Sequence, residues 1–180
     1  MLMEAECRAN TAWSKWRQVT GAMCDKKVPL KLKSKIYRTV VRPVALYGAE
    51  CWSTTLKHEQ TLYTMEMRML RRTHGIARLD IVRNEDVRSM FGVALITAKM
   101  REARLRWYGH VLRSEDSSVA KSAVNTTVEG RRPRGRPKTR WLDRIGDDMR
   151  LLKLSVDDVF DRRKWHNRTR NADPRPWETG

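Results

Sequence analysis

Long apolar runs are missing from this chain. No stretch approaches the roughly 18 consecutive apolar residues of a membrane-spanning helix, so no transmembrane segment is expected. Cysteine is scarce: Cys7, Cys24 and Cys51 are odd in number and far apart, a pattern that matches neither a disulfide framework nor a zinc ribbon. The four histidines, His58, His74, His110 and His166, complete no Cys/His cluster with zinc-site spacing. The opening Met1-Leu2-Met3-Glu4-Ala5-Glu6 lacks the basic start and apolar run of a signal peptide, so an internal location is expected. There is no Gly-rich phosphate loop followed by Lys-Ser/Thr and no serine elbow. The adjacent carboxylates Asp147-Asp148 and Asp157-Asp158 come nearest to a metal-assisted phosphoryl-transfer pair. Neither follows the aromatic-x pair of a polymerase hairpin, and Asp158 suits a helix cap. No catalytic residue, cofactor or metal is expected.

Acidic residues are also few. Against 38 Lys and Arg stand 21 Asp and Glu, a net charge of +17 over 180 residues. Such a charge says nothing about fold, but it creates long-range attraction to polyanions, of which nucleic acid is the commonest. An anionic membrane surface and an acidic protein are the alternatives. Hydrophobic residues at 40% and charged residues at 33% leave room for one modest core, or for a small domain with an appendage.

The apolar residues recur with helical period, and strand signals hardly compete. A first helix to about Thr20 carries Ala12, Trp13 and Trp16 on one face, with Gly21 as its stop. It opens without a cap, as expected if the chain begins inside a longer module. From Leu30, the stripe Leu32, Ile36, Val40 and Val44 predicts a buried face with the lysines standing off it, kinked or restarted at Pro43. Further helices are expected over 60–73, ended by Gly75, from Asn84 to Gly92, and over 98–113 behind Thr97. Trp141, Leu142, Ile145, Met149 and Leu152 make another helical face, and Ser155 with Asp158 reads as a capping box for a last helix. The expectation is an all-α chain: a helical region over 1–113, a polar and basic linker over 114–138, a helical pair over 139–168 and a flexible tail over 169–180. The seven tryptophans are expected mostly in the core, with Trp177 exposed in the tail.

Between Gly130 and Leu142 no acidic residue occurs, while six basic ones fall within Arg131–Arg140. An Arg134-Gly135-Arg136 segment is slim enough for the floor of a minor groove, because Gly135 removes the side chain that would strike the wall. The flanking prolines hold it extended and reduce the entropy lost on binding. Arginines there gain from the concentrated negative potential of a narrow A·T-rich groove. Arg131, Arg132, Lys138 and Arg140 would then lie nearer phosphates. Pro133-Arg134-Gly135-Arg136-Pro137-Lys138 resembles the AT-hook of chromatin proteins; a solvated linker or a nuclear-import signal would look similar. Lys31, Lys33, Lys35, Arg38 and Arg42 are expected to form a second basic strip. Arg68, Arg71 and Arg72, and then Lys99, Arg101, Arg104 and Arg106, suggest two more.

Larger blocks carry a wider resemblance. They are the run from Leu32 to Trp52 containing Tyr37-Arg38 and Arg42-Pro43-Val44-Ala45-Leu46-Tyr47-Gly48, the Glu66–Arg72 and Arg83–Arg88 segments, Arg104-Leu105-Arg106-Trp107-Tyr108-Gly109-His110, and Gly135-Arg136-Pro137-Lys138-Thr139-Arg140-Trp141. In this order they resemble the C-terminal part of reverse transcriptases of non-LTR retrotransposons. The resemblance implies that residues from about Ala12 to Gly75 belong to the helical thumb that holds the template–product duplex. It also implies a partner, DNA or an RNA–DNA duplex, and a polymerase palm and fingers supplied elsewhere; the expected location is the nucleus, with the cytoplasm as the alternative, away from membranes. No position matches the family's Phe/Tyr-Ala-Asp-Asp, so a non-catalytic, truncated fragment is expected. A stand-alone minor-groove protein and a structural remnant without a role are the alternatives.

Overall fold

A computed structural model of the chain describes residues 2–126, 139–174, 176 and 177. Every element among the described residues is helical, so the chain is an all-α protein built as a small helical bundle. In order they are α1 (Leu2–Gln18), α2 (Thr20–Cys24), α3 (Leu30–Ile36), a π-helical turn (Tyr37–Val41), α4 (Arg42–Ala45), α5 (Leu56–His74), α6 (Asn84–Phe91), α7 (Ile96–Arg113), α8 (Val119–Asn125), α9 (Trp141–Leu152) and α10 (Arg162–Thr169). Short 3-10 turns occur at Ala49–Cys51, Arg78–Asp80 and Asp157–Val159. No described helix is long and apolar enough to cross a membrane.

Two compact units emerge. The first comprises Met1–Gly48, Thr55–Met100 and Asn171–Gly180; the second comprises Ala49–Thr54 and Arg101–Arg170. The division falls within α7, after Met100, and not in the polar stretch after Ser114. From Arg101 onward, α7 is tied to residues of α9 and α10 through buried ion pairs and the second unit's apolar core.

In the first unit α1 packs on α4 and α5 through Ala5, Ala9, Ala12 and Trp16, spaced by one helical turn or two. The alanines let the helix backbones approach, and Trp16 fills the end of the seam. α5 answers with Leu62, Met65, Met69 and Leu70. It starts earlier than its apolar period indicates, because His58 performs the reciprocal half of a capping box: its Nδ1 accepts the Thr55 N–H at 3.3 Å. It ends where expected, with Gly75 in the left-handed region at φ 69° and the Ile76 N–H returning to the Arg71 carbonyl at 3.0 Å.

The helix from Leu30 buries a different face from the expected one. Leu32 is 47% exposed, whereas Lys33, Ser34, Tyr37 and Val41 are buried. Tyr37 sets this facing, since its hydroxyl donates to Glu66 at 2.7 Å and its ring meets Phe91 edge-on. Pro43 acts on the turn before it. A proline has no N–H and its ring crowds the carbonyl four residues back. Here the chain widens into the π-helical turn, in which the Arg42 N–H donates to the Tyr37 carbonyl.

Within the segment expected to be a flexible tail, described residues from Asn171 onward make contacts within the first unit. Asp173 takes a bidentate pair from Arg42, 2.6 Å on each oxygen, and the Ala94 N–H at 2.8 Å. The Lys99 ammonium donates to the Asn171 carbonyl at 3.0 Å. Trp177 is half-buried, not exposed, because Gly92 leaves room for its ring: a Cβ at Gly92 would lie 2.6 Å from it.

The second unit has its own core of Leu105, Tyr108, Ile145, Met149, Leu154, Val159 and Trp165. Beneath it lies an ion pair that burial makes costly to break: Arg104, 1% exposed, donates to Asp148 at 2.7 Å and to the Thr54 hydroxyl at 2.6 Å. The Ser155–Asp158 cap forms only in part. Asp158 accepts the Ser155 N–H at 2.8 Å over a 3-10 turn, and α10 starts later, capped by Asp161, whose carboxylate accepts the Lys164 N–H at 2.9 Å.

Candidate nucleic-acid interface

The expected strip Lys31, Lys33, Lys35, Arg38 and Arg42 does not stay together. Residues two apart on a helix point to different sides, and so do these. Lys31 and Lys35 are exposed. Lys33 is buried along its stem. Arg38 lies over the Trp177 ring at 5.8 Å. Arg42 is buried and committed to Asp173, which draws that carboxyl below its ordinary value against the opposing effect of burial. The strip around Arg68 divides as well. Arg71 bonds Asn84 at 2.9 Å and ties the loop after Gly75 to α5, leaving Arg68 and Arg72 exposed.

Arg72 is the centre of what forms instead. It borders two concavities of the first unit. One, of about 670 Å³, is lined with it by Trp13, Trp16 and Arg17. The other, of about 440 Å³, is lined with it by Lys26, Lys27, Lys33 and His74. No carboxylate lines either. Arg72 covers the Trp16 ring at 5.6 Å, a cation–π contact that fixes the guanidinium at the junction. Trp13 stands edge-on to Trp16 and is half-buried, so part of its ring faces solvent. Two polar ring atoms at this surface lack partners: Trp16 Nε1 and His74 Nε2 are buried without a hydrogen bond among the described residues.

Lys33 explains the second concavity. Its apolar stem is covered, its ammonium has no carboxylate partner among the described residues, and it lines the same hollow as Lys26 and Lys27. Burial first, then the Lys33 charge, holds the His74 imidazole below its ordinary pKa and keeps it neutral further into the acid range. The two linings therefore gather ammonium and guanidinium groups with no carboxylate among them, Asp25 standing beside them with its side chain on the Lys27 N–H at 2.8 Å, and the surface is complementary to a phosphate backbone.

Arg131, Arg132, Arg134, Gly135, Arg136 and Lys138 lie outside the described residues. Arg140, in the second unit, is exposed just before α9, and its N–H donates to Asp143 at 2.8 Å. Of the tryptophans, Trp16 and Trp165 are wholly buried, and Trp13, Trp52, Trp107, Trp141 and Trp177 are partly exposed. Of the carboxylate pairs, Asp148 holds Arg104 and Arg101, Asp147 lies 3.0 Å from Arg150, and Asp158 is drawn down to about 2 by its Lys164 and Ser155 hydrogen bonds. Sequence reasoning missed Arg17, Lys26, Lys27 and His74. No spacing links them to Arg72, because α1, the turn after α2 and the end of α5 converge only in the fold.

No family model matches the chain, and no solved structure matches it. It is 25% identical over 153 residues to a transposon-derived protein of Caenorhabditis elegans, an alignment that covers 81% of this chain. The chain spans about half of that protein, 53% of its length, and the two are distantly linked.

Proposed function

We propose that the first unit holds the sugar–phosphate backbone of a DNA or RNA–DNA duplex against its Arg72-centred face. In this reading the chain is the non-catalytic, thumb-side part of a non-LTR retrotransposon reverse transcriptase, working in the nucleus beside a palm and fingers supplied by another chain. The observation that carries the reading is the pair of concavities joined by Arg72, lined by Arg17, Lys26, Lys27 and Lys33 and by no carboxylate. Lysines and arginines there displace condensed counterions from phosphates, and a half-exposed Trp13 offers a stacking face to an unpaired base. The distant similarity to a transposon-derived protein and the blocks from Leu32 to Trp52 and from Arg104 to His110 support the same origin. The reading requires no cofactor and no metal.

The test is the affinity of the purified chain for matched A·T, G·C and RNA–DNA hybrid duplexes across a salt series, with circular dichroism reporting the helical fold. A preference for the hybrid that survives moderate salt supports a thumb-like role. A preference for A·T DNA that disappears with Arg134→Ala and Arg136→Ala transfers the function to the minor-groove segment. Equally weak, wholly salt-sensitive binding to all three reduces the face to a polycation.

A further inference from the structure

The second unit carries a cationic hollow of its own. α7 presents Arg106, His110 and Arg113 at intervals of four and three residues, so one face of the helix bears all three. α10 answers with Arg162, His166 and, at its end, Arg170, spaced by four. Together they line a cavity of about 400 Å³, within the range of small-ligand sites. Its geometry is set by close approach. Gly109 has no side chain, and the Trp165 indole occupies that space: a Cβ at Gly109 would lie 2.5 Å from Trp165 Nε1, which donates to the Leu105 carbonyl at 3.2 Å. Trp165 thus binds α10 to α7 and leaves the arginines on the two walls facing one hollow.

The charges in it are not balanced from within. Glu102 alone on the lining is acidic, so four arginines leave three net positive charges before either imidazole is counted. Arg106, Arg162 and Arg170 have no carboxylate partner among the described residues. Arg113 is held in place by donating to the Val159 carbonyl at 2.6 Å, and burial followed by repulsion from Arg162 lowers its pKa. These like charges are assembled at a cost that an entering anion would relieve.

We infer that this hollow is a phosphate site that receives the phosphomonoester end of a nucleic-acid strand. The inference rests on the proposed duplex binding and adds to it a site for the strand's terminus. Trp165 floors the hollow between α7 and α10, and an anion enters from the solvent side, where Arg106, Arg162 and Arg170 are exposed. A terminal phosphate carries about −1.5 to −2 charge and three acceptor oxygens, against one charge on an internal diester, which suits several guanidinium groups. Trp107 stacks on His110 with ring centroids 5.5 Å apart and holds that imidazole at the rim.

Fluorescence anisotropy with the full chain tests this, using one RNA–DNA hybrid duplex whose DNA strand is made with a 5′-phosphate, a 3′-phosphate or hydroxyls at both ends. A phosphate-ended duplex is expected to bind about tenfold more tightly than the hydroxyl-ended one, from two or more charge-assisted hydrogen bonds. Arg106→Ala and Arg162→Ala should abolish that preference, and millimolar inorganic phosphate should erode it in the unaltered protein. Equal binding of all three duplexes overturns the inference and leaves the duplex reading standing. Binding of none overturns both, and a preference untouched by either substitution places the terminus elsewhere.

Discussion

Glu66 gives the fold a measurable pH dependence. Its side chain is wholly buried, and each oxygen has one donor: the Tyr37 hydroxyl at 2.7 Å and the Ile96 N–H at 3.2 Å. Burial outweighs those donors and the nearby Arg42 and Arg88 charges, and raises the carboxyl from 4.5 to about 7. The folded protein therefore binds this proton more tightly than the unfolded chain. The stabilisation is complete below pH 4.5 and is lost as pH rises through about 7. The gap corresponds to about 3 kcal/mol. Glu66→Gln keeps an acceptor for Tyr37 but turns an amide toward the Ile96 N–H, a cost of about 1–3 kcal/mol that does not vary with pH. Urea unfolding at several pH values between about 5 and 8 should show the native chain losing stability relative to the Gln variant as pH rises. His58 and His74, both lowered first by burial, act in the opposite sense, because the unfolded chain takes up their protons first. They are present in both proteins and cancel in the difference. Identical pH profiles for the two proteins would refute the assignment.

Two further perturbations address the ion pairs. Asp148→Ala strands the buried Arg104 guanidinium and should cost about 3–5 kcal/mol in urea unfolding, while Arg104→Met with Asp148→Leu should restore most of it; a loss under about 1 kcal/mol from the single change would contradict the burial argument. Asp173→Ala removes both the Arg42 partner and the acceptor of the Ala94 N–H. It should cost about 3 kcal/mol and speed hydrogen exchange at Ala94, and unchanged exchange there would show that the C-terminal segment is not docked.

The all-α class was legible because period and punctuation agree: Gly75 and Gly92 end their helices in the left-handed conformation the sequence implied. The facing of α3 was not. Counting Leu32 as core and Lys33 as surface is the ordinary reading, but Lys33 buries its stem while Leu32 lies 47% exposed. Periodicity cannot anticipate a lysine whose stem packs and whose head reaches a hollow. Nor could it find the docking of Asp173 on Arg42, 131 residues apart in sequence. Such a bidentate pair leaves no local trace, and the same contact removed Arg42 from the basic strip. In the block from Arg104 to His110, helical spacing suggested the apolar faces, but only packing gives each residue its task. Arg104 pairs with Asp148, Leu105 and Tyr108 enter the core, Gly109 admits Trp165, and Arg106 and His110 line the hollow.

The duplex interface is tested most directly by two charge-matched variants. Lys27→Glu with Arg72→Glu alters the proposed face; Arg163→Glu with Arg168→Glu alters exposed arginines of α10 and changes net charge equally. Affinity for an RNA–DNA hybrid would be followed across a salt series, with circular dichroism confirming both folds. The face variant should lose at least about tenfold in affinity and about two in the slope of log affinity against log salt, while the control loses much less. Equal losses in the two variants would show that net charge, and not the Arg72-centred face, binds nucleic acid.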